Sequence, residues 1–406
     1  MSSERLYYDD AYTTRFAAKV AARESRDGRE AVELEATYFY PESGGQEADR
    51  GTLAGARVID VQDDDSGRVW HLLEEGAGAL EPAVEGVVDW ARRFDHMQQH
   101  TGQHVLSAAF ERVLGAHTVS SRLGERGTIE VERADVDWRE VERVEDAANA
   151  VVWEDREIVR HWVDEDDLAR FDLRKPPPRD RAGAGGRIRI VEIPGWDASP
   201  CGGTHTRRTG EIGAIKVVRW ERVRGHLRFE FLCGARALRD HAWRTEALVE
   251  GARRRTLGDR ELLTHLERAA EERDELRKRL DEMSDRLLLA EARAAVAGAS
   301  PAALWSATRP RDEVRRLAIK CLEAGAPWVA VGAGGPEPVV VAGRAKALDL
   351  DLKAMVPALL ERTGGRGGGS PDLVQSAARD AAAAESAWRW IAGELAARTG
   401  RAPRDP

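Results

Sequence analysis

The chain has 406 residues, of which 42% are hydrophobic and 33% charged, and its formal net charge at pH 7 is −9. At roughly 150 residues per domain, this length predicts two or three domains. The sequence has no apolar run of about 18 residues, which excludes a membrane span. The acidic balance argues against a protein whose whole surface binds nucleic acid, although a local basic face remains compatible with phosphate binding.

The N-terminus and the cysteines indicate the cell compartment. The opening stretch, MSSERLYYDDAYTT, lacks the apolar segment of a secretory signal. The three cysteines (Cys201, Cys233 and Cys321) are odd in number and far apart, so they do not form a disulfide framework. We therefore expect a cytoplasmic protein in a reducing environment.

The first 90 residues alternate short apolar runs with turn residues. AVELEATYFY, PESGGQ and GTLAGARVIDVQDDDSGRVWHLL are typical of several strands joined by tight turns. This pattern predicts a small β-rich domain.

Residues 91–250 mix helical and strand patterns. VDWARRFDHMQQHTGQHVLSAAFERVLG predicts a helix that Gly115 stops, and a second helix is expected from Glu140 to Val152. TIEVE and RIRIVEI predict strands, and GAIKVVRWERVRGHLRFEFLCG predicts a hairpin that turns near Gly225. The stretch RKPPPRDRAGAGG between them predicts a loop.

A heptad pattern follows within residues 258–297. Positions 262, 266, 269, 273, 276, 280, 283, 287, 290 and 294 hold Leu, Leu, Ala, Arg, Leu, Leu, Met, Leu, Ala and Ala. Two interpretations stay open: a helical spacer that packs on a neighbouring helix, and a coiled coil that joins two copies of the chain.

Residues 301–406 predict a small α/β domain. WVAVGAGGPEPVVVAG indicates two strands around a turn, whereas LDLKAMVPALLERT and RDAAAAESAWRWIAGELAARTG indicate helices. Between the two helices, GGRGGGSPD predicts a glycine loop.

Histidines and one cysteine suggest a metal site. HMQQHTGQH places His96, His100 and His104 four residues apart on the predicted helix, so that neighbours in this series share a face. CGGTH adds Cys201 and His205, and its glycines permit a compact turn. One thiolate with imidazoles favours zinc over magnesium or calcium. Spacing alone does not decide which pair of the three helical histidines binds.

Four motifs in fixed order carry a resemblance that covers nearly the whole chain. They are TYFYPESGGQEADRG (residues 37–51), HTGQH, CGGTH and GGRGGGSPDLVQ (residues 364–375). The sequence resembles the editing portion of alanyl-tRNA synthetase, and most of all the free-standing alanyl-tRNA editing proteins, whose long form has a C-terminal glycine-rich domain. Only YYDDAYTT and a few residues precede the β-rich part, so we expect editing rather than aminoacylation.

The resemblance implies an α+β fold of four parts. These are a small β-barrel-like domain (1–90), an α+β zinc-binding editing domain (91–250), a helical coiled-coil spacer (258–297) and a small C-terminal α/β domain of tRNA-binding type (301–406). It further implies hydrolysis of mischarged alanine tRNA, chiefly carrying serine and secondarily glycine. A homodimer through the spacer or the C-terminal domain is a further expectation.

The resemblance also assigns the site residues. It implies that His100, His104, Cys201 and His205 hold Zn²⁺ and that Thr37 and Gln46 act in catalysis and amino-acid selection. Because Asp197 lies four residues before Cys201, we expect its carboxylate to hold a ligand histidine. Gly44 and Gly45 would let the backbone approach the acceptor end of the tRNA. We expect further contacts with the tRNA from Arg219 and Arg224, from basic residues of the proline loop 174–181, and from Gly367 and Gly368.

Two other functions compete with the hydrolase. A tRNA-binding factor with a structural zinc is compatible with four protein ligands, because such sites are normally closed. A phosphoesterase is disfavoured, because the chain lacks the paired-aspartate and DHH signature of such enzymes.

Overall fold

The computed structural model describes residues 3–26, 28–75, 81–176, 187–297 and 300–403. The chain divides into two compact units, Met1–Arg254 and Arg255–Pro406. The four-part division expected from the resemblance stays a prediction. No helix among the described residues is long and apolar enough to cross a membrane.

The first unit begins with a closed six-stranded barrel, in the order β2-β3-β7-β6-β5-β8. Two short strands outside the barrel, β1 and β4, pair in parallel. The strands are β1 (Glu4–Arg5), β2 (Arg15–Arg26), β3 (Arg29–Leu34), β4 (Ala36–Thr37), β5 (Gly51–Leu53), β6 (Ala56–Asp63), β7 (Val69–Leu73) and β8 (Ala83–Val88). A core that includes Val32, Phe39 and Leu73 holds the barrel together. The predicted small barrel in a mixed α+β fold is confirmed.

The long helix α1 (Trp90–Leu114) is the central element of this unit. The Asp89 side chain caps its first turn, and Gly115 ends it in the left-handed conformation (φ 63°), as the sequence predicts. Every residue from 96 to 110 is buried, because other helices and the strands of two sheets pack against this helix. Polar side chains on it must therefore find partners inside the protein.

Two sheets and two helices complete the first unit. A four-stranded sheet has the order β14-β15-β10-β9, and a three-stranded sheet has the order β11-β12-β13. The elements are β9 (Thr118–Leu123), β10 (Gly127–Val131), α2 (Trp138–Trp153), β11 (Val159–Val163), β12 (Ile188–Ile193), β13 (Asp197–Pro200), β14 (Ile215–Val223), β15 (His226–Cys233) and α3 (Gly234–Arg253). The predicted second helix, the RIRIVEI strand and the hairpin near Gly225 are present. Residues 177–186 of the predicted proline loop lie outside the described residues.

The second unit contains a five-stranded sheet, in the order β16-β17-β18-β20-β19, with helices on both faces. Only β16 and β17 run parallel. The elements are α4 (Leu262–Ala295), β16 (Ala302–Ser306), α5 (Arg311–Glu323), β17 (Trp328–Ala333), β18 (Val339–Arg344), α6 (Val356–Thr363), β19 (Gly367–Gly369), β20 (Leu373–Ala377) and α7 (Ala381–Thr399).

The predicted glycine loop is wrong in one respect, because it contains strand β19. Gly367 pairs with Ser376 at the edge of the sheet, and a Cβ atom on Gly367 would lie 2.1 Å from the Gln375 carbonyl oxygen. The three glycines therefore permit a close strand pairing. Only Gly368 faces open space.

The heptad seam of α4 is not the face that packs within the second unit. Leu288 and Ala292 are buried against α5, whereas four seam residues are more than half exposed. These four are Leu276, Leu280, Met283 and Leu287. A dimer through this seam stays a prediction.

Candidate metal centre

Four side chains meet between α1 and the loop that follows β13. His100 and His104 come from one face of α1, and Cys201 and His205 come from the loop. One candidate ligand atom from each residue lies within 4.8 Å of the others. The Cys201 Sγ atom is 3.3 Å from Nε2 of both His100 and His205. The structure thus brings together the four residues that the resemblance implies.

Local sequence explains why the loop fits against the helix. A Cβ atom on Gly203 would lie 2.1 Å from Cε1 of His100, so only glycine allows this approach. On α1, the spacing of four residues places the two histidine rings 5.3 Å apart between centroids.

Each imidazole presents Nε2 to the centre because its Nδ1 atom faces a protein oxygen. Nδ1 lies 2.7 Å from Gln46 Oε1 in His100, 2.9 Å from Asp197 Oδ2 in His104 and 3.2 Å from Thr101 Oγ1 in His205. An Nδ1–H group that donates to such an oxygen leaves the Nε2 lone pair free for a cation.

Gln46 reaches His100 from a tight turn that begins at Ser43. Gly44 and Gly45 have φ values of 59° and 86°, and the Ser43 and Gln46 backbones exchange hydrogen bonds. The Gln46 side chain is fully buried, and its amide donates to Thr204 Oγ1 at 2.8 Å. A Cβ atom on Gly45 would lie 3.0 Å from the Ser121 carbonyl oxygen. In this structure Gly45 therefore permits a close approach to β9.

Asp197 is buried between His104 and Arg174. Arg174 donates to its carboxylate at 2.5 Å and to Ser199 Oγ at 3.1 Å. Burial alone would raise the pKa of Asp197, but the hydrogen bond from His104 and the charges of His104 and Arg174 lower it to about 2. Arg174 is therefore engaged by the Asp197 carboxylate and is not free to bind a phosphate of the tRNA. Arg179 and Arg181 lie outside the described residues.

The electrostatics of the cluster favour a Cys201 thiolate beside neutral imidazoles at His100 and His205. Burial would raise the pKa of Cys201, but the charges and hydrogen bonds of the surrounding histidines lower it well below its ordinary value. Burial lowers the pKa of His100 and His205, whereas the Asp197 hydrogen bond overcomes burial and raises that of His104.

This donor set fits zinc. Ligand atoms about 2.0–2.3 Å from a tetrahedral zinc ion lie roughly 3.3–3.8 Å from one another. The two sulfur–nitrogen distances of 3.3 Å already match that range. The oxygens behind the three rings are the outer partners that metal-binding histidines normally have.

Two arginines that the sequence analysis missed anchor the cysteine loop. Arg189 donates to the carbonyl oxygens of Cys201 and Gly203 at 2.8 and 3.0 Å, and its buried Nη2 atom has no hydrogen-bond partner among the described residues. Arg160 donates to the His205 carbonyl oxygen at 3.3 Å. In the sequence, Arg189 could have been noticed because it lies within the apolar strand RIRIVEI, shortly before CGGTH.

The hydroxyl of Thr37 forms its hydrogen bonds with residues outside the metal cluster. Its hydroxyl is fully buried, lies 2.8 Å from His71 Nε2 and accepts from the Phe39 backbone N–H at 3.0 Å. Because His71 Nδ1 lies 2.8 Å from the Val32 carbonyl oxygen, Nδ1 carries the proton and Nε2 accepts one from Thr37.

The remaining predicted RNA contacts lie elsewhere. Arg219 forms an ion pair with Glu230, whereas Arg224 is exposed at the hairpin turn (φ 51°). Gly367 and Gly368 belong to the second unit. His96 is buried one turn before His100 and outside the cluster.

The sequence is similar to those of several known proteins. Residues 188–229, from β12 to β15, match the Threonyl and Alanyl tRNA synthetase second additional domain. An alanine–tRNA ligase of Natronomonas pharaonis is 32% identical over 93% of this chain and 42% of its own length. The alanyl-tRNA editing protein AlaX-L of Pyrococcus horikoshii is 36% identical over 58% of this chain and 59% of its own length.

The chain thus covers about two to three fifths of each of these relatives. The matches confirm the resemblance carried by TYFYPESGGQEADRG, HTGQH and CGGTH. The chain is thus similar to alanyl-tRNA editing proteins and to a related segment of alanine–tRNA ligases.

Proposed function

We propose that the chain is a deacylase for mischarged alanine tRNA. It hydrolyses the ester between a wrongly attached amino acid, chiefly serine and secondarily glycine, and the 3′-terminal ribose. The observation that carries this proposal is the convergence of three Nε2 atoms and one Sγ atom, with each Nδ1 atom held by a protein oxygen. Similarity to an alanyl-tRNA editing protein supports the choice of substrate.

We assign Zn²⁺ to His100, His104, Cys201 and His205. When bound, zinc supplies Lewis-acid chemistry, which polarises an ester carbonyl or lowers the pKa of a water molecule to about 7. Cys201 is only partly buried, so the centre has an accessible side from which an ester can approach.

The protein's own residues keep this centre in one geometry. Gln46 and Asp197 fix the rings of His100 and His104, and Arg189 fixes the backbone of the cysteine loop. Fixed groups raise the rate of hydrolysis because no reorganisation is needed when the ester binds. Gln46 therefore acts as a positioning residue, and the catalytic role implied by the resemblance becomes indirect.

We assign the choice of amino acid to Thr37. Its proton is engaged by His71 and one lone pair by Phe39, so one lone pair remains to accept a hydrogen bond. Serine offers a hydroxyl donor and alanine does not. Because Thr37 has no exposed surface, the contact requires movement of the residues that cover it. A Thr37→Val variant should lose preference for serine, measured as the ratio of serine to alanine release.

A tRNA-binding factor with a structural zinc is the second candidate function. Four protein donors within 4.8 Å favour it, because catalytic zinc sites normally keep one position open. An assay of ester hydrolysis distinguishes the two functions, because only the deacylase cleaves the ester.

The test is the release of serine from serine-charged alanine tRNA, beside the same tRNA charged with alanine. Wild type should release serine rapidly and alanine slowly, and Cys201→Ala should release neither. Cys321→Ala, a buried cysteine of the second unit, is the matched control and should keep the activity. Absence of release from both substrates, with the tRNA still bound, would leave the binding factor as the function.

A further inference from the structure

A groove of about 1240 Å³ lies in the first unit, beside the N-terminal part of α1. We call it the α1 groove and define it by six of its lining residues: Glu47, Arg50, Phe94, His96, Arg239 and Trp243. None of these residues is a candidate metal ligand.

The inner end of the groove adjoins the candidate metal centre. Glu47 directly follows Gln46, whose side chain bonds His100. His96 lies one helical turn before His100, a rise of about 6 Å along α1. A molecule that fills the groove to this end therefore reaches Glu47, the neighbour of Gln46 in the sequence, and His96, one helical turn from His100.

Two arginines of the groove are available for an anion. Arg50 and Arg239 are exposed, and neither has an ion-pair partner among the residues that the structure describes. The four other lining arginines are engaged. Arg92 pairs with Glu47 at 2.8 Å, Arg236 with Asp95 at 2.6 Å, Arg126 with Glu230 at 3.0 Å and Arg57 with Glu74 at 3.6 Å.

The groove lining has six arginines and five carboxylates, and most of these carboxylates are already engaged by other groups. Glu47 and Asp95 are paired as above, Asp240 pairs with Arg244 at 2.5 Å, and Asp89 caps α1. Within the described ranges Asp89 and Glu125 have no cation partner, but Asp89 is engaged by the backbone N–H of Arg92 in the first turn of α1. In a chain of net charge −9, such a groove is a local site for phosphate.

Aromatic and polar groups in the same groove suit a nucleotide. Trp243 is 63% exposed, and Phe94 lies 5.2 Å from the Trp90 ring, which is itself 39% exposed. Nδ1 of His96 is buried and has no hydrogen-bond partner within the described structure. Unpaired bases stack on such rings, and single-stranded ends are the parts of RNA that proteins read most often.

We propose that the α1 groove holds the unpaired nucleotides at the 3′ end of the tRNA. Arg50 and Arg239 bind phosphates, Phe94 and Trp243 stack against bases, and the inner end delivers the terminal ribose toward His100. This inference rests on the proposed function, because that function supplies an RNA whose 3′ end carries the ester.

The test uses the full chain and uncharged acceptor-stem RNA, made with and without its unpaired 3′ tail. A double variant, Arg50→Ala with Arg239→Ala, is compared with the control Arg139→Ala with Arg143→Ala. The control removes two exposed arginines of α2 that do not line the groove. Affinity is measured at several salt concentrations.

Two lost phosphate contacts should reduce the salt slope by about 1.4, since each contact on a single strand contributes about 0.7. At 0.1 M salt this corresponds to a loss of roughly 25-fold in affinity for the tailed RNA. Binding of the tail-less RNA, and the control variant, should match wild type. Trp243→Ala should weaken binding of the tailed RNA without changing the salt slope, because it removes stacking and no charge.

Wild-type affinity and slope in the double variant would overturn the proposal, and so would equal losses for the two RNAs. The hydrolysis assay separates this failure from failure of the proposed function. If wild type releases serine and the double variant has an unchanged KM, only the groove assignment is wrong. If wild type releases no serine but binds RNA through its tail and these arginines, the groove assignment stands.

Discussion

Replacing Gln46 by leucine removes the residue that orients His100. The fully buried Gln46 side chain accepts from His100 Nδ1 at 2.7 Å and from the Thr204 backbone N–H at 3.3 Å. Leucine leaves both donors buried without a partner, at a cost of about 1–3 kcal/mol each. Loss of an outer partner typically weakens metal binding by about 10–100-fold, or roughly 1.4–2.7 kcal/mol.

The assay for this change is zinc affinity, measured by competition with a chromogenic chelator. Gln46→Glu keeps an oxygen acceptor at the same place and should bind zinc within a few-fold of wild type. Gln62→Leu removes a barrel glutamine whose side-chain amide donates to Asp60, and it is the matched control.

Hydrolysis then distinguishes positioning from direct catalysis. The leucine variant should regain most of its serine release at saturating zinc, because the ligand itself is intact. Zinc affinity equal to that of Gln62→Leu would refute the account of Gln46. Weak zinc binding with no recovery of hydrolysis at saturation would show that Gln46 contacts the substrate.

Three further variants test other parts of the account. Asp197→Asn should weaken zinc binding by about 10–100-fold while the fold stays intact by circular dichroism, because His104 loses its anionic partner. Burial lowers the pKa of His71 to about 4, so about 3 kcal/mol of stability should be lost as the pH falls from 6.5 to 4, and urea unfolding of His71→Gln should lack this loss. Arg93→Met leaves Asp49 buried without its cation and should cost about 3–5 kcal/mol in urea unfolding. Unchanged zinc affinity in Asp197→Asn would contradict the first expectation. A wild-type pH dependence of stability in His71→Gln would contradict the second, and wild-type stability of Arg93→Met would contradict the third.

The ligand-bearing segments were predictable because their patterns are local. HTGQH repeats histidine at the helical spacing, and the helix indeed runs through it to Gly115. CGGTH carries its own turn glycines, of which Gly203 proves to be required by contact with His100.

The groups behind the histidine rings were harder to assign. Gln46 is 54 residues from His100, and Asp197 is 93 residues from His104. Hydrogen bonds over such separations depend on the packing of the barrel and β13 against α1, which no local period encodes. The resemblance indicates Gln46, and its position before Cys201 indicates Asp197, but only the structure shows which ring each one contacts.

For two segments of the second unit, the sequence pattern alone does not predict the packing that the structure shows. The heptad of α4 has the period of a buried seam, yet α5 covers the neighbouring stripe that contains Leu288 and Ala292. The glycine run near Gly367 was interpreted as a loop, because glycine has low strand propensity. Pairing with Ser376 overrides that propensity, since an edge strand gains its hydrogen bonds from tertiary structure.

The central claim is that ester hydrolysis occurs at the centre formed by His100, His104, Cys201 and His205. The most direct measurement is single-turnover release of serine from serine-charged alanine tRNA by one protein sample in three states: as purified, after chelation of metal, and after restoration of zinc. The account predicts that release is lost on chelation and restored by zinc, while circular dichroism and tRNA affinity stay constant. The same rate in all three states would contradict it.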